Sequence, residues 1–267
     1  MAVAGEIRPP RRMLQVMESS ALFEIGGFFA ASPLLRLLGR GDRHPVLVLP
    51  GFTASDRSTV PLRSTIRLQG YWAHGWGLGR NIGPSARIID GMRDRLDQLH
   101  GRHGRKVSLV GWSLGGIYAR HLARERPDAV RQVITLGSPF RMIDGDRSAA
   151  QPIWESLSHL HDGEIDILQV AEEEREPLPV PATAIYTRTD GVVRWFTCIE
   201  EPGRHRESIE VFGSHSGLGV NPSVVYAVLD RLGQGEGSWQ EFQPPWYLRH
   251  LYPHPATYRA GEDLAAA

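Results

Sequence analysis

Cysteine is nearly absent from this sequence, and its one instance, Cys198, excludes an intrachain disulfide and a thiolate metal cluster. A reducing compartment fits that usage, so a cytoplasmic location is expected. A surplus of charge is missing too: 30 Lys and Arg balance 30 Asp and Glu. Nothing in that balance draws the chain to nucleic acid or anionic lipid, so neither is expected as a partner. Lys106 is the only lysine, and an arginine excess of this kind carries no functional weight by itself. Long apolar runs are also lacking. The most lipid-like stretch, residues 21–38, is interrupted by Glu24, Gly26, Gly27, Pro33 and Arg36, which makes it a poor membrane span. Arg8, Arg11 and Arg12 are followed by Gln15, Glu18, Ser19 and Ser20, where a secretory signal needs unbroken apolar residues. No signal peptide is expected, and residues 1–44 read as a helical arm packed on the domain.

What the chain does have is 41% hydrophobic residues and 29 glycines in 267 positions, enough apolar material for a core and enough breakers for many turns. One domain with an insertion is the expectation. From Pro45 onward, short β-branched runs alternate with helical patterns, the order of parallel strands joined by crossover helices. Strands are predicted at 46–49, 71–74, 107–110, 132–136, 183–186 and 208–212. Helices are predicted at 58–69, from Pro84 to Gly101 or Gly104, from Ser113 to before Pro127, and at 222–232. Ile88, Ile89, Met92, Leu96 and Leu99 share one face of the second of these. Between the fourth and fifth strands lie about forty residues with helical patterns at 153–160 and 165–174 and prolines at 177, 179 and 181. Residues 141–181 therefore read as a small cap. Residues 234–267 hold Trp239, Phe242, Trp246, Tyr247, Tyr252 and Tyr258 without strand or helix periodicity, a tail expected to drape over the domain or over a second copy in a homo-oligomer.

A serine hydroxyl is too weak an acid to attack an ester unaided, so a serine site needs a base beside it and a group that orients the base. Gly111-Trp112-Ser113-Leu114-Gly115 has the Gly-x-Ser-x-Gly form. Small residues on either side permit a strained turn between strand and helix that lifts the hydroxyl above a sheet. The motif falls after a buried strand and before a helix, and Gly116 adds room for close helix packing. That context selects Ser113 as nucleophile.

On these residues, positions 45–233 resemble the α/β-hydrolase superfamily, in the style of bacterial lipases and esterases. The resemblance implies a mostly parallel sheet with helices on both faces, and a nucleophile, acid and base in the chain order Ser, Asp, His. Asp190, in Thr-Arg-Thr-Asp-Gly after the fifth strand, matches the acid. His215, in a flexible loop Gly-Ser-His-Ser-Gly-Leu-Gly after the last strand, matches the base. Asp144, Asp146 and Asp166 compete for the acid's place, but no strand end fixes them. The resemblance further implies an oxyanion hole made by the backbone N–H of Leu114 and of Phe52, with Thr53 as the alternative. Pro50-Gly51 stands where many relatives have His-Gly, so the chain departs from the pattern there. Thr-Leu-Gly-Ser-Pro at 135–139 resembles a lipase strand end that shapes the pocket floor.

Weaker signals point to no cofactor and no metal. His159, His161 and Asp162 have the spacing of some metal ligands but lack further His or Cys nearby, and read as solvated cap surface. Gly75-Trp76-Gly77-Leu78-Gly79 lacks the lysine and helix start of a phosphate loop, and reads as a mobile loop near the pocket. Thr53, Trp76 and Trp112 are the expected substrate contacts, with Trp72, Trp154 and Trp195 as further candidates for an apolar acyl site. The expected function is hydrolysis of a small-molecule carboxylic ester through an acyl-enzyme. Acyl transfer, thioester, amide or carbon–carbon hydrolysis on the same residues, or a noncatalytic ligand-binding domain, are the alternatives.

Overall fold

All six predicted strands form, the last at 206–210 rather than 208–212; the four central ones do so because runs rich in Val, Ile and Leu suit a strand covered on both faces, whereas the two edge strands are half-exposed. The computed structural model describes residues 9–21, 23–28, 41–142, 146–161, 172 and 175–255. The helical pattern at 165–174 apart from Glu172, the candidate acids Asp144 and Asp166, and Tyr258 lie outside the described residues. Strands β1 (Pro45–Leu49), β2 (Trp72–Gly75), β3 (Val107–Trp112), β4 (Val130–Leu136), β5 (Ala182–Tyr186) and β6 (Arg206–Glu210) make one sheet in the order β2-β1-β3-β4-β5-β6. Every described pairing is parallel, as expected.

Alternation along β1 divides the core in two. Leu47 and Leu49 face helices α3 (Ala86–His103) and α4 (Leu114–Glu125), together with Leu109, Val133, Met92, Leu96 and Tyr118. Val46 and Val48 face α2 (Val60–Leu68) and α6 (Pro222–Gly233), together with Ile134, Ile185, Ile66 and Val225. Helices thus cover both faces. The second of the expected helices starts one turn cleanly: Ser85 accepts from the Ile88 N–H at 3.4 Å and Gly104 ends the helix at φ 60°. Pro84 lies just outside this helix rather than in its first turn, since Ser85 takes the capping place.

The chain leaves β1 toward the β2 edge and returns on the other side to β3, so strand order reverses between β1 and β3. In open parallel sheets such a reversal opens a crevice at the carboxyl ends of the two strands. Gly51 and Phe52 follow β1 there, and Ser113 follows β3.

The described part of the segment read as a cap is tied to this frame by polar contacts. Glu172 accepts from Arg120 and Arg124 of α4, and Arg120, itself buried, also pairs with Glu200. The tail drapes over α6: Phe242 and Tyr252 pack against Tyr226, and the Tyr252 hydroxyl donates to Ser223 O at 2.8 Å. Trp246 and Tyr247 are exposed. The arm forms helix α1 (Arg12–Met17), a tight turn at Glu18–Ser20 and further helix over 23–28. Phe28 reaches the core, while Met13, Val16 and Phe23 stay exposed. No helix of the described residues is long and apolar enough to cross a membrane.

Candidate active site

Ser113 sits at φ 52° and ψ −123°, a region costing about 1–3 kcal/mol for a residue with a side chain. Three glycines make it possible. A Cβ at Gly111 would come within 2.3 Å of Gly116 Cα, one at Gly115 within 2.4 Å of Leu49 O, and one at Gly116 within 1.9 Å of the Ser138 hydroxyl. Two hydrogen bonds fix the turn: the Ser113 N–H donates to Leu136 O at 2.8 Å, and Ser113 O accepts from Gly116 at 2.9 Å. Burying one Leu or Ile is worth about 1.5–3 kcal/mol, so the packed residues of β3 and α4 outweigh the strain.

Gly51 lies against this turn, and a Cβ on it would stand 3.2 Å from Ser113 Cβ. The following loop hangs on Asn81, a fully buried residue that sequence reasoning missed. Its side chain donates to Pro50 O at 2.9 Å, its carbonyl accepts from the Thr53 N–H at 2.6 Å, and its own N–H donates to Ala54 O at 2.8 Å. Thr53, at φ 61°, therefore has its N–H committed. The N–H groups of Phe52 and Leu114 have no acceptor among the described residues. An asparagine embedded in glycines and a buried segment was the available signal for Asn81, but nothing local in the sequence ties it to Pro50.

Asp190 is buried after β5. One oxygen accepts from the N–H groups of Val192 and Val193, both at 2.8 Å, and the other lies 2.6 Å from His215 Nδ1. An ionised carboxylate has no proton to give, so Nδ1–H is the donor and Nε2 is left free to accept. Burial opposes a charged His215, yet the Asp190 charge, their hydrogen bond and the Glu18 charge outweigh it and raise its pKa above the ordinary 6.5. The ring lies over Gly137, where a Cβ would stand 3.1 Å from Nδ1, and Leu136 just before it accepts the Ser113 N–H. The Trp112 indole donates to His215 O at 3.1 Å. The Ser113 hydroxyl makes no hydrogen bond among the described residues; catalytic hydrogen bonds commonly tighten only when substrate is present.

The other expected contacts fall in different places. Trp112, half-buried, braces the histidine loop with its indole N–H on His215 O and its ring against Gly219. Trp76 is 1% exposed, packed in the core with its indole N–H on Gly79 O, and is closed to a ligand from solvent. Trp72 is exposed on β2, and Trp195 stacks on Tyr186. Among these tryptophans only Trp154, on helix α5 (Gln151–Leu157) of the inserted segment, stands by Phe52, with ring centroids 5.1 Å apart. His161 is not free cap surface: its ring packs on Trp154 and its Nε2 meets Ile82 O at 2.7 Å, which docks the cap. The Gly75–Gly79 loop is fastened as well, since the Asp56 carboxylate accepts from the N–H groups of Trp76 and Gly77, each at 3.0 Å. The described residues contain no cluster of three or more metal-ligating side chains.

Two residues of the arm, also missed, reach this site. Glu18 accepts from the N–H groups of Gly191, His215 and Ser216, and Glu24 accepts from Ser214 and Asn221. The loop around His215, read from sequence as flexible, is thus held from outside.

No protein-family model matches the chain. It is similar to the protein named serine hydrolase BPHL of Homo sapiens, 27% identical over 149 residues, and to that of Mus musculus, 25% identical over 150. These matches cover 52% and 53% of this chain, which spans about half the length of the curated relatives, 47% in each case. Among solved structures it is similar to one reported for the metagenome-derived lipolytic enzymes LipS and LipT, at TM-score 0.53 and 18% identity, covering 73% of this chain and 95% of that one. It is similar also to Aspergillus fumigatus lipase B, at TM-score 0.54 and 17% identity, covering 75% and 55%. By its parallel strand order, its strained turn at a strand end and these likenesses, the chain has the fold of the α/β-hydrolase superfamily.

Proposed function

We propose that the chain is a serine hydrolase that cleaves carboxylic esters through an acyl-enzyme on Ser113. The observation that carries this reading is the buried Asp190–His215 hydrogen bond of 2.6 Å, set at the carboxyl ends of the strands beside the strained turn of Ser113. His215 Nε2 takes the hydroxyl proton as Ser113 Oγ attacks the ester carbonyl. The oxyanion that forms accepts from the unengaged N–H groups of Leu114 and Phe52. His215 then gives its proton to the departing alcohol. Water, deprotonated by the same ring, attacks the acyl-enzyme and releases the acid. Asp190 holds the tautomer and favours the imidazolium in both halves.

Phe52 and Trp154 give the acyl group an aromatic wall between the oxyanion loop and the cap. The lipase and esterase names among similar structures support an ester rather than an amide.

A fluorophosphonate probe tests the reading. The native protein should be labelled, and Ser113→Ala should lose labelling and cut ester turnover by about a thousandfold or more. An unlabelled native protein would sink the proposal. A series of p-nitrophenyl esters of rising chain length, beside a thioester and an anilide, then ranks the acyl substrates.

A further inference from the structure

We propose that Glu18 is a positioning residue: its carboxylate clasps the acid loop and the histidine loop together and so sets the geometry of the Asp190–His215 pair. This rests on the reading of Ser113, His215 and Asp190 as the acylating machinery.

One oxygen of Glu18 accepts from both loops at once, from Gly191 N–H at 2.8 Å and from His215 N–H at 3.0 Å. The other oxygen accepts from Ser216 N–H at 2.8 Å. The bonded amides belong to the base itself and to the neighbours of acid and base. Glycine makes the approach possible. A Cβ on Gly191 would lie 2.3 Å from Leu14 O, so the arm's backbone rests directly on the residue after Asp190. Glu24 adds a second hold one residue further back, accepting from the Ser214 N–H at 2.8 Å and from Asn221 Nδ2 at 2.8 Å. A Cβ on Gly217 would stand 2.3 Å from Glu24.

Burial works against the Glu18 charge, but the hydrogen bonds from Ser216, Gly191 and His215 outweigh it and hold the group below the usual glutamate range. It stays ionised wherever esterases work. The groups facing His215 are then few. Asp190 comes from the β5 loop and Glu18 from the arm, both anionic, and Glu24 lies behind Ser214. The Cys198 thiol near Asp190 is kept neutral by burial. Glu18 therefore acts on the base in two separable ways, by fixing its main chain and by favouring its cation. A purely structural strut would do only the first.

The experiment compares Glu18→Gln, Glu18→Ala and Glu24→Gln with the native full-length chain, using fluorophosphonate labelling rates, p-nitrophenyl ester kinetics from pH 5 to 9 and thermal unfolding. Glu18→Gln should lower kcat about tenfold with KM little changed, since one charge-assisted contact set is weakened. Glu18→Ala should lower it by about a hundredfold, the cost expected when a catalytic group is misplaced by about 1 Å. The acid limb of kcat/KM should move to lower pH in Glu18→Gln and stay in place in Glu24→Gln. Native rates with a native pH profile in Glu18→Gln would overturn the proposal. So would a rate loss with an unshifted limb and a Tm drop matching Glu24→Gln, because that marks a mere strut. Should Glu18→Ala fail to fold, Glu18→Gln decides alone. If the native protein itself resists the probe, the hydrolase reading fails first and this one falls with it.

Discussion

The two halves of the candidate site are built in opposite ways. The serine half is local: residues 111–116 contain the glycines, the strained residue and one of the two hydrogen bonds that fix it. The acid–base half is long-range: Glu18 lies 173 positions from Gly191 and 197 from His215, and Glu24 lies 190 from Ser214. The glycine spacing that permits the strained turn is written in one short stretch, although Leu49, Ser138 and Leu136 press on it or hold it from neighbouring strands. A pair of loops that must meet within hydrogen-bond distance needs an external brace, because loop backbone carries many conformations of similar energy.

The sharpest way to break the comparison is chemical. Asp190→Asn keeps the shape of the pair but lets Nδ1 be the unprotonated atom, so kcat should fall by about ten-thousandfold while Tm barely moves. Ester kinetics and thermal unfolding on one preparation check this. A fall of tenfold or less would assign the acid role elsewhere, with Asp146 next to be tested.

Steric disruption of the local half should act on folding as well as on rate. Gly115→Ala drives a Cβ against Leu49 O, and about 1–3 kcal/mol of stability should be lost with activity. Urea titration measures it; unchanged stability would mean the turn has slack that the glycine contacts deny.

Hydrogen exchange separates the halves directly. In a Glu18→Gln, Glu24→Gln double variant, the amides of Gly191, Ser214, His215 and Ser216 should lose protection by about tenfold or more, the worth of one charge-assisted hydrogen bond. Those of Ser113 and Gly116 should keep theirs. Equal loss at both places would merge the two halves into one unit.

The smallest effect is in pH. Because His215 binds its proton more tightly than free imidazole, activity should rise with pH through a value above 6.5. The same shift has the opposite sign for stability. Its contribution is full below the unfolded value of 6.5 and is lost as pH rises through the folded value, so activity grows while this share of stability fades. A flat rate from pH 5 to 9 would remove histidine as the base.

How far the sequence could be read tracks the range of the interactions. Strands at Val107–Trp112 and Val130–Leu136 were legible because burial on both faces leaves apolar runs, and the apolar face of α3 because its spacing is helical. Trp76 was misjudged for a related reason: an indole in sequence does not say whether its ring fills a core, braces a loop or faces a ligand. His161 looked like a surface residue and Asp56 drew no reading at all, since their partners at Ile82, Trp76 and Gly77 are adjacent only after folding.

By itself, the sequence determined the parallel sheet, the helices on both faces and the glycine-flanked turn at Ser113, since hydrophobic period and glycine spacing are written in a few consecutive residues. Only tertiary structure decided that Asn81 holds the loop of residues 50–54, that Trp154 meets Phe52, and that two glutamates of the arm grip the loops of Asp190 and His215. Hydrogen bonds between segments nearly 200 positions apart leave no periodic trace along a chain, and they exist only once the sheet has brought its strand ends to one rim.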